Sequence, residues 1–158
     1  MVAAKLQPHE RRSGVGGQNT LGESRRALQP LRPGQALALL STVGYGRVVF
    51  TDRALPAIRP VNHIIDRGMI IVRADLRAAV TTDADAAGSL VTYQADKIDP
   101  VTRLGWSVVV TGFAHRVTRQ DDLDRYQQML VAWLRKASNV VLAIQPEAIN
   151  GFSLVEEA

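Results

Sequence analysis

Cysteine is absent from the 158 residues. That excludes disulfides, thiolate metal centres, a cysteine nucleophile and iron–sulfur clusters, and it fits a reducing compartment such as the cytoplasm. Histidine is scarce. His9, His63 and His115 stand far apart, none with a helical i, i+4 partner, so no metal site is expected. Long apolar runs are missing too. The longest, Met129 to Leu134, is far short of the ~18 residues that a spanning helix needs. The first residues contain no apolar stretch of the kind a secretory signal carries. The expectation is a cytoplasmic protein with no membrane segment. The excess of positive charge is missing from the body of the chain. Residues 1–35 hold six Lys or Arg and two Glu, whereas residues 36–158 hold 13 basic and 13 acidic side chains. The basic segment has no aromatic residue to stack on a base and no long cationic cluster, so nucleic acid is not an expected partner.

What is present is ordinary globular material. Hydrophobic residues make up 46% and charged residues 22%, and the length suits one domain. Residues 1–32 are rich in Gly, Gln and Arg without a period and read as a flexible basic arm. Residues 33–158 read as the folded domain. Pro33 suits the first turn of a helix that ends at Gly44. Gly46 to Asp52 (GRVVFTD) and Ala57 to Ile65 (AIRPVNHII) read as strands. Pro60 implies that the second has an open edge or a bulge. Asp66-Arg67-Gly68 is a tight turn, and Met69 to Arg73 (MIIVR) returns as a third strand. A short helix and a loop fill residues 75–88. Ser89 to Ala95 is a fourth strand, and Asp96 to Leu104 (DKIDPVTRL) a loop. Gly105 to Val117 (GWSVVVTGFAHRV) is a long fifth strand with a bend or bulge at Gly112. Thr118 caps a helix whose Leu123, Tyr126, Leu130, Trp133 and Leu134 share one face. Asn139 to Ile144 is a sixth strand, broken at Gln145-Pro146, and Phe152 to Val155 a last short one. Short strands that do not alternate with helices argue for a mainly β fold, a small antiparallel barrel with flanking helices.

No catalytic signature is present. There is no GxSxG elbow and no GxxxxGK[ST] loop, and Gly44-Tyr45-Gly46 precedes a strand, so it aims no helix N-terminus at a phosphate. The catalytic residues are therefore unassigned. Arg59, Pro60, Val61, Asn62 and His63 mix charge, a missing donor and a polar pair within one strand. That is awkward for a simple two-faced strand and suits one that presents backbone and side chains to a polar planar ligand. Arg73 can reach a phosphate as a forked donor, and Trp106 can cover a flat ring. Each also has an ordinary reading: strand-end charges for the arginines, and core or interface packing for Trp106.

Taken together, GRVVFTD after a leading helix, PVNH in the second strand, MIIVR after a short turn and above all DKIDPVTRLGWSVVVTGFA resemble the pyridoxamine 5′-phosphate oxidase-like, FMN-binding split-barrel family, over about residues 31–155. The resemblance implies a six-stranded antiparallel split β-barrel that forms a homodimer with flavin in the clefts between subunits. It implies an oxidoreductase that acts on a small-molecule substrate through FMN. By position, Arg59, Pro60, Val61 and Asn62 would line the flavin ring and ribityl chain, and Val72 and Arg73 the ribityl and phosphate. Trp106 and Ser107 would approach the ring. The position where the family carries a phosphate-binding Lys reads Ala79 here, with Arg77 nearby as the auxiliary cation. Relatives of this barrel use deazaflavin or haem. A deazaflavin-dependent reductase and a non-catalytic dimeric ligand-binding protein that has lost its flavin site are accordingly the alternatives.

Overall fold

The computed structural model describes residues 25–74, 88–130 and 140–157. Seven strands and two helices follow one another as β1 (Arg26–Pro30), α1 (Pro33–Leu40), β2 (Tyr45–Asp52), β3 (Leu55–Asp66), β4 (Met69–Ala74), β5 (Ser89–Ile98), β6 (Gly105–Arg116), α2 (Gln120–Met129) and β7 (Val140–Glu156). All strand pairings are antiparallel, in the order β1-β7-β4-β3-β2-β5-β6, and β6 pairs again with β7. Six strands, β2 to β7, thus close a ring, and β1 is appended to β7. The expected mainly β, antiparallel architecture is met.

Alternation writes this ring into the sequence. Along β6, Trp106, Val108, Val110, Gly112 and Ala114 are buried and the residues between them are not, the period of a strand with one face on a core. Val91, Tyr93 and Ala95 on β5, and Gly46, Val48 and Phe50 on β2, repeat it. These side chains fill the ring, and Ala36 and Leu40 of α1 join the same cluster. Burying a residue such as Leu40 is worth roughly 1.5–3 kcal/mol. Pro33 begins α1, and Gln35 Oε1 accepts the Arg32 N–H at 3.0 Å, satisfying a donor at the entry. A second, smaller cluster of Ile71, Tyr126, Leu130 and Val141 seats α2 on the outside of β4 and β7.

Two long strands carry most of the architecture. β3 pairs with β2 through Leu55–Asn62 and with β4 through Asn62–Asp66, so its first half has a strand on one side alone among the described residues. Pro60 lies in that half, where an open edge tolerates a missing N–H, as the sequence predicts. β7 gives one edge to β4 and then β1, and the other to β6. A register shift between Thr111 and Gly112 marks the expected irregularity in β6. It needs glycine, because a Cβ there would stand 2.0 Å from the Gln145 carbonyl oxygen.

Several expectations are corrected. Gln145-Pro146 does not end a strand. Pro146 lies opposite Gly112 at the irregularity, and pairing continues to Glu156. Residues 26–30, assigned from sequence to the arm, form β1 against residues 152–156. β5 runs to Ile98, into the segment read as a loop. The N-cap of α2 is Arg119 and not Thr118. Residues 1–24 and the helix and loop expected over 75–88, Gly88 apart, lie outside the described residues, as do Trp133 and Leu134. No described helix is long and apolar enough to cross a membrane.

Candidate functional site

Residues directly opposite one another on antiparallel strands share a face, so the register sorts the sequence-predicted residues. Tyr45, Asn62 and Arg73 form one row across β2, β3 and β4. This row faces outward, because Val61 and His63, on either side of Asn62, are buried in the ring. Pro60 faces outward in the next row, opposite Arg47. Val61 and Val72 are core residues, 2% and 0% exposed. Trp106 also points inward, into the main cluster. These three side chains hold the wall, and only their backbone borders the outside. Arg59 lies opposite Val48 yet is exposed, on the open half of β3, and its Nη1 donates to the Ile58 carbonyl at 3.1 Å. Ser107 lies on β6, opposite Asp96 and Phe152. β6 is three strands from β3 in either direction around the ring. One chain therefore brings Pro60, Asn62 and Arg73 together and keeps Ser107 on the opposite wall. Arg77 lies outside the described residues.

Arg73 has a definite structural engagement. Its Nη1 donates to the carbonyls of Gln127 at 3.2 Å and Leu130 at 3.0 Å, at the end of α2, where helix carbonyls lack partners and a cation is favoured. Beside it a groove of about 660 Å3 opens between the end of α1, β3 and the end of α2. Its lining includes Ser41, Thr42, Tyr45, Asn62, Ile64 and Met129. Tyr45 and Met129 are more than half exposed, and Asn62 Oδ1 is a buried side-chain oxygen at its edge.

His63, at the back of this groove, is fully used. Its Nε2 stands 2.7 Å from the Leu40 carbonyl and its Nδ1 against the Tyr93 hydroxyl. A carbonyl accepts only, so Nε2 carries the proton, and Nδ1 accepts from Tyr93. Burial holds the imidazole pKa below its usual value, partly opposed by the bond to the Leu40 carbonyl, and burial pushes the Tyr93 phenol up. Both groups are neutral at physiological pH. Gly46 makes room for the pair, since a Cβ there would meet the Tyr93 hydroxyl at 2.2 Å.

At the end of β3, Asp66 Oδ2 accepts from Tyr126 Oη at 2.5 Å and from Arg125 Nη2 at 2.7 Å. The Tyr126 hydroxyl and then Arg125 hold the Asp66 pKa below the carboxylate range. This triad ties α2 to the β3–β4 turn and so fixes one wall of the groove. Sequence reasoning singled out neither Tyr45 nor Met129 as groove residues. Tyr45 appeared only within Gly44-Tyr45-Gly46, and nothing local announces that its strand lies beside Asn62. Among the described residues, no three His, Asp or Glu side chains gather to hold a metal ion.

The pyridoxamine 5′-phosphate oxidase family model matches residues 33–153. The uncharacterized Mycobacterium tuberculosis protein Rv0080 is 44% identical over 147 residues, covering 90% of this chain and 96% of its own. A Corynebacterium glutamicum structure that carries the pyridoxamine 5′-phosphate oxidase name superposes with a TM-score of 0.66 at 26% identity, over 83% of this chain and 96% of that one. The structure of an FAD-binding protein from Mycobacterium smegmatis shares the fold, with a TM-score of 0.59 at 24% identity over 80% and 98% of the two chains.

Proposed function

Because the chain belongs to the pyridoxamine 5′-phosphate oxidase-like family, we propose that it is an FMN-binding oxidoreductase that acts on a small organic molecule as a homodimer. The observation that carries this reading is the open half of β3. Residues 55–61 have a strand partner on one side alone among the described residues, beside the outward row of Tyr45, Asn62 and Arg73. Backbone N–H and C=O groups along such an edge match the alternating donors and acceptors of a flavin ring, and Pro60 withholds one donor from it. The residues present fit the group. When bound, FMN supplies hydride acceptance and donation.

The chain's own part is to bind and orient. The backbone of Arg59 to Asn62 holds the ring edge in plane. Arg73 is the main cation for the phosphate, which an uncompensated cleft would not hold, and Arg77, outside the described residues, is the auxiliary one. Val61, Val72 and Trp106 keep the wall rigid from inside. Ser107 lies across the ring from Asn62, so a flavin that touches both needs a second copy of the chain. Cross-strand partners also place Leu28, Leu154, Gly105 and Ile98 in one row. Leu28 and Ile98 are 64% and 43% exposed, an apolar strip suited to an isologous contact. The FAD-binding relative supports a flavin, and the family resemblance favours FMN.

The test is a titration of flavin-free protein with FMN, FAD, riboflavin and a deazaflavin, read by flavin fluorescence and visible absorbance, with sedimentation for the assembly. The expected result is tightest binding of FMN by a species of about twice the 17.2 kDa chain mass. A preference for the deazaflavin would move the cofactor, and no binding of any of the four would remove flavin from the account.

A further inference from the structure

The two prolines of β3 stand at matched places along its open half. The His63 N–H donates to the Gly44 carbonyl at 3.1 Å, which fixes the phase of the β2–β3 ladder. Bonded and non-bonded partners alternate along an antiparallel pair. Gly46–Val61, Val48–Arg59 and Phe50–Ala57 are therefore the bonded pairs, and Arg47–Pro60, Val49–Ile58 and Thr51–Pro56 the non-bonded ones. The backbone groups of residues 57, 59 and 61 turn to β2. Those of residues 56, 58 and 60 turn to the other side, where no described strand pairs with them. Pro56 and Pro60 have a carbonyl but no N–H. The open edge thus offers three carbonyls and one N–H, that of Ile58. Among the described residues one side-chain donor reaches these carbonyls, Arg59 Nη1 on Ile58, and a carbonyl oxygen has two lone pairs. An edge of this composition asks its ligand for N–H groups. It also refuses an added strand, the ordinary use of a proline on an edge.

We propose that Pro56 and Pro60 fit this edge to the reduced flavin, so that the protein holds the reduced ring more tightly than the oxidised one and makes the bound flavin a stronger hydride acceptor than free FMN. The inference rests on the FMN reading. The oxidised ring system carries one N–H, and its other polar ring atoms are acceptors. Reduction adds two electrons and, in the neutral form, two protons, which turn two ring nitrogens from acceptors into donors. Facing carbonyls, a ring nitrogen without a proton finds no partner, and the same nitrogen with one is paired. Tighter binding of the reduced state raises the midpoint potential by the same free energy, about 30 mV for a tenfold preference in a two-electron couple. Arg59 and Arg73 favour electron gain through their charge, and that effect is the same whether residue 60 is proline or alanine. Substitution at residues 56 and 60 therefore isolates the edge.

The experiment is an anaerobic dithionite titration of the FMN-loaded full-length protein beside a dye of known potential, read by visible absorbance, with free FMN in the same buffer as reference. A fluorescence titration gives the affinity of the oxidised form. The wild type is expected to bind reduced FMN at least about tenfold more tightly than oxidised FMN, which places its midpoint at least about 30 mV above that of free FMN. Pro60→Ala and Pro56→Ala each return an N–H to the edge and leave the bonds to β2 in place. Each should cut the preference by about three- to tenfold, chiefly through tighter binding of the oxidised form. Pro33→Ala, at the start of α1, should leave it unchanged. Sedimentation follows self-association. A wild-type midpoint no higher than that of free FMN, or an unchanged preference in both edge variants, overturns the proposal. Self-association of those variants at an unchanged preference overturns it too, and makes the prolines a guard against strand pairing alone. Each of these results, obtained with flavin bound, leaves the FMN reading standing. A wild-type protein that takes up no flavin overturns both.

Discussion

The Tyr93 hydroxyl donates to His63 Nδ1 inside the strand ring, and His63 Nε2 donates to the Leu40 carbonyl at the end of α1. One chain of polar contacts thus runs from β5 through β3 to the helix that caps the core. Every member is buried, so each must be satisfied, and a neutral imidazole is the form that satisfies all of them.

Acid should therefore loosen the fold through His63. Its folded pKa is depressed below the ordinary 6.5. The unfolded chain takes up a proton first as pH falls, and stability is lost from about pH 6.5 downward toward the folded pKa. Chemical denaturation at pH 7.5 and 5.5 should show the loss. In His63→Gln, less stable at both pH values, the difference between them should shrink. An unchanged difference in the variant would assign the acid sensitivity to another group.

Tyr126→Phe removes the 2.5 Å bond to Asp66 and leaves Arg125 as its partner. The expected cost is about 1–2 kcal/mol in urea unfolding, since the lost bond is to a charged acceptor. Asp66 should also titrate higher in the variant. Its stabilising effect, present above the ordinary carboxylate pKa and lost as pH falls through the depressed one, should vanish at a higher pH than in the wild type.

Arg73→Ala separates two roles. If Arg73 serves the flavin phosphate, FMN affinity falls by roughly ten- to a hundredfold and riboflavin binds as before. If its main work is to hold the Gln127 and Leu130 carbonyls, the protein loses about 1–2 kcal/mol of stability, and FMN and riboflavin weaken together. The expected outcome combines a stability loss with a larger effect on FMN than on riboflavin. Paired melting curves and fluorescence titrations read both.

Truncation should find the boundary of the folded part at β1. A chain beginning at residue 25 keeps the five pairs from Arg26–Glu156 to Pro30–Phe152, and one beginning at residue 32 loses them. The shorter chain should melt several degrees lower, because the Leu154 edge of β7 is bared. Differential scanning calorimetry of the two chains checks it.

Much of the fold is legible locally. The alternation from Trp106 to Ala114 marks a strand and its inner face, Pro33 starts a helix, and Asp66-Arg67-Gly68 turns the chain. The GWS-containing segment carries the family likeness. Each of these signals is a period or a backbone restriction contained in a few neighbouring residues. β1 carries no such signal. Its sequence, RALQP, becomes a strand because β7 offers it an edge. Pro146 does not break β7 because Gly112 opposite it provides room.

The candidate site divides in the same way. The sequence by itself determined that Arg59 to Asn62 form an unusual strand and that Arg73 ends the next. Only the tertiary structure decided that Val61, Val72 and Trp106 turn inward, that Ser107 stands across the ring, and that Tyr45 and Met129 flank a groove at which both helices end. The reason is physical. Local sequence encodes the period of an element, whereas the partner of each face is set by pairing between residues distant in the chain, and that pairing is settled by the packing of the whole ring.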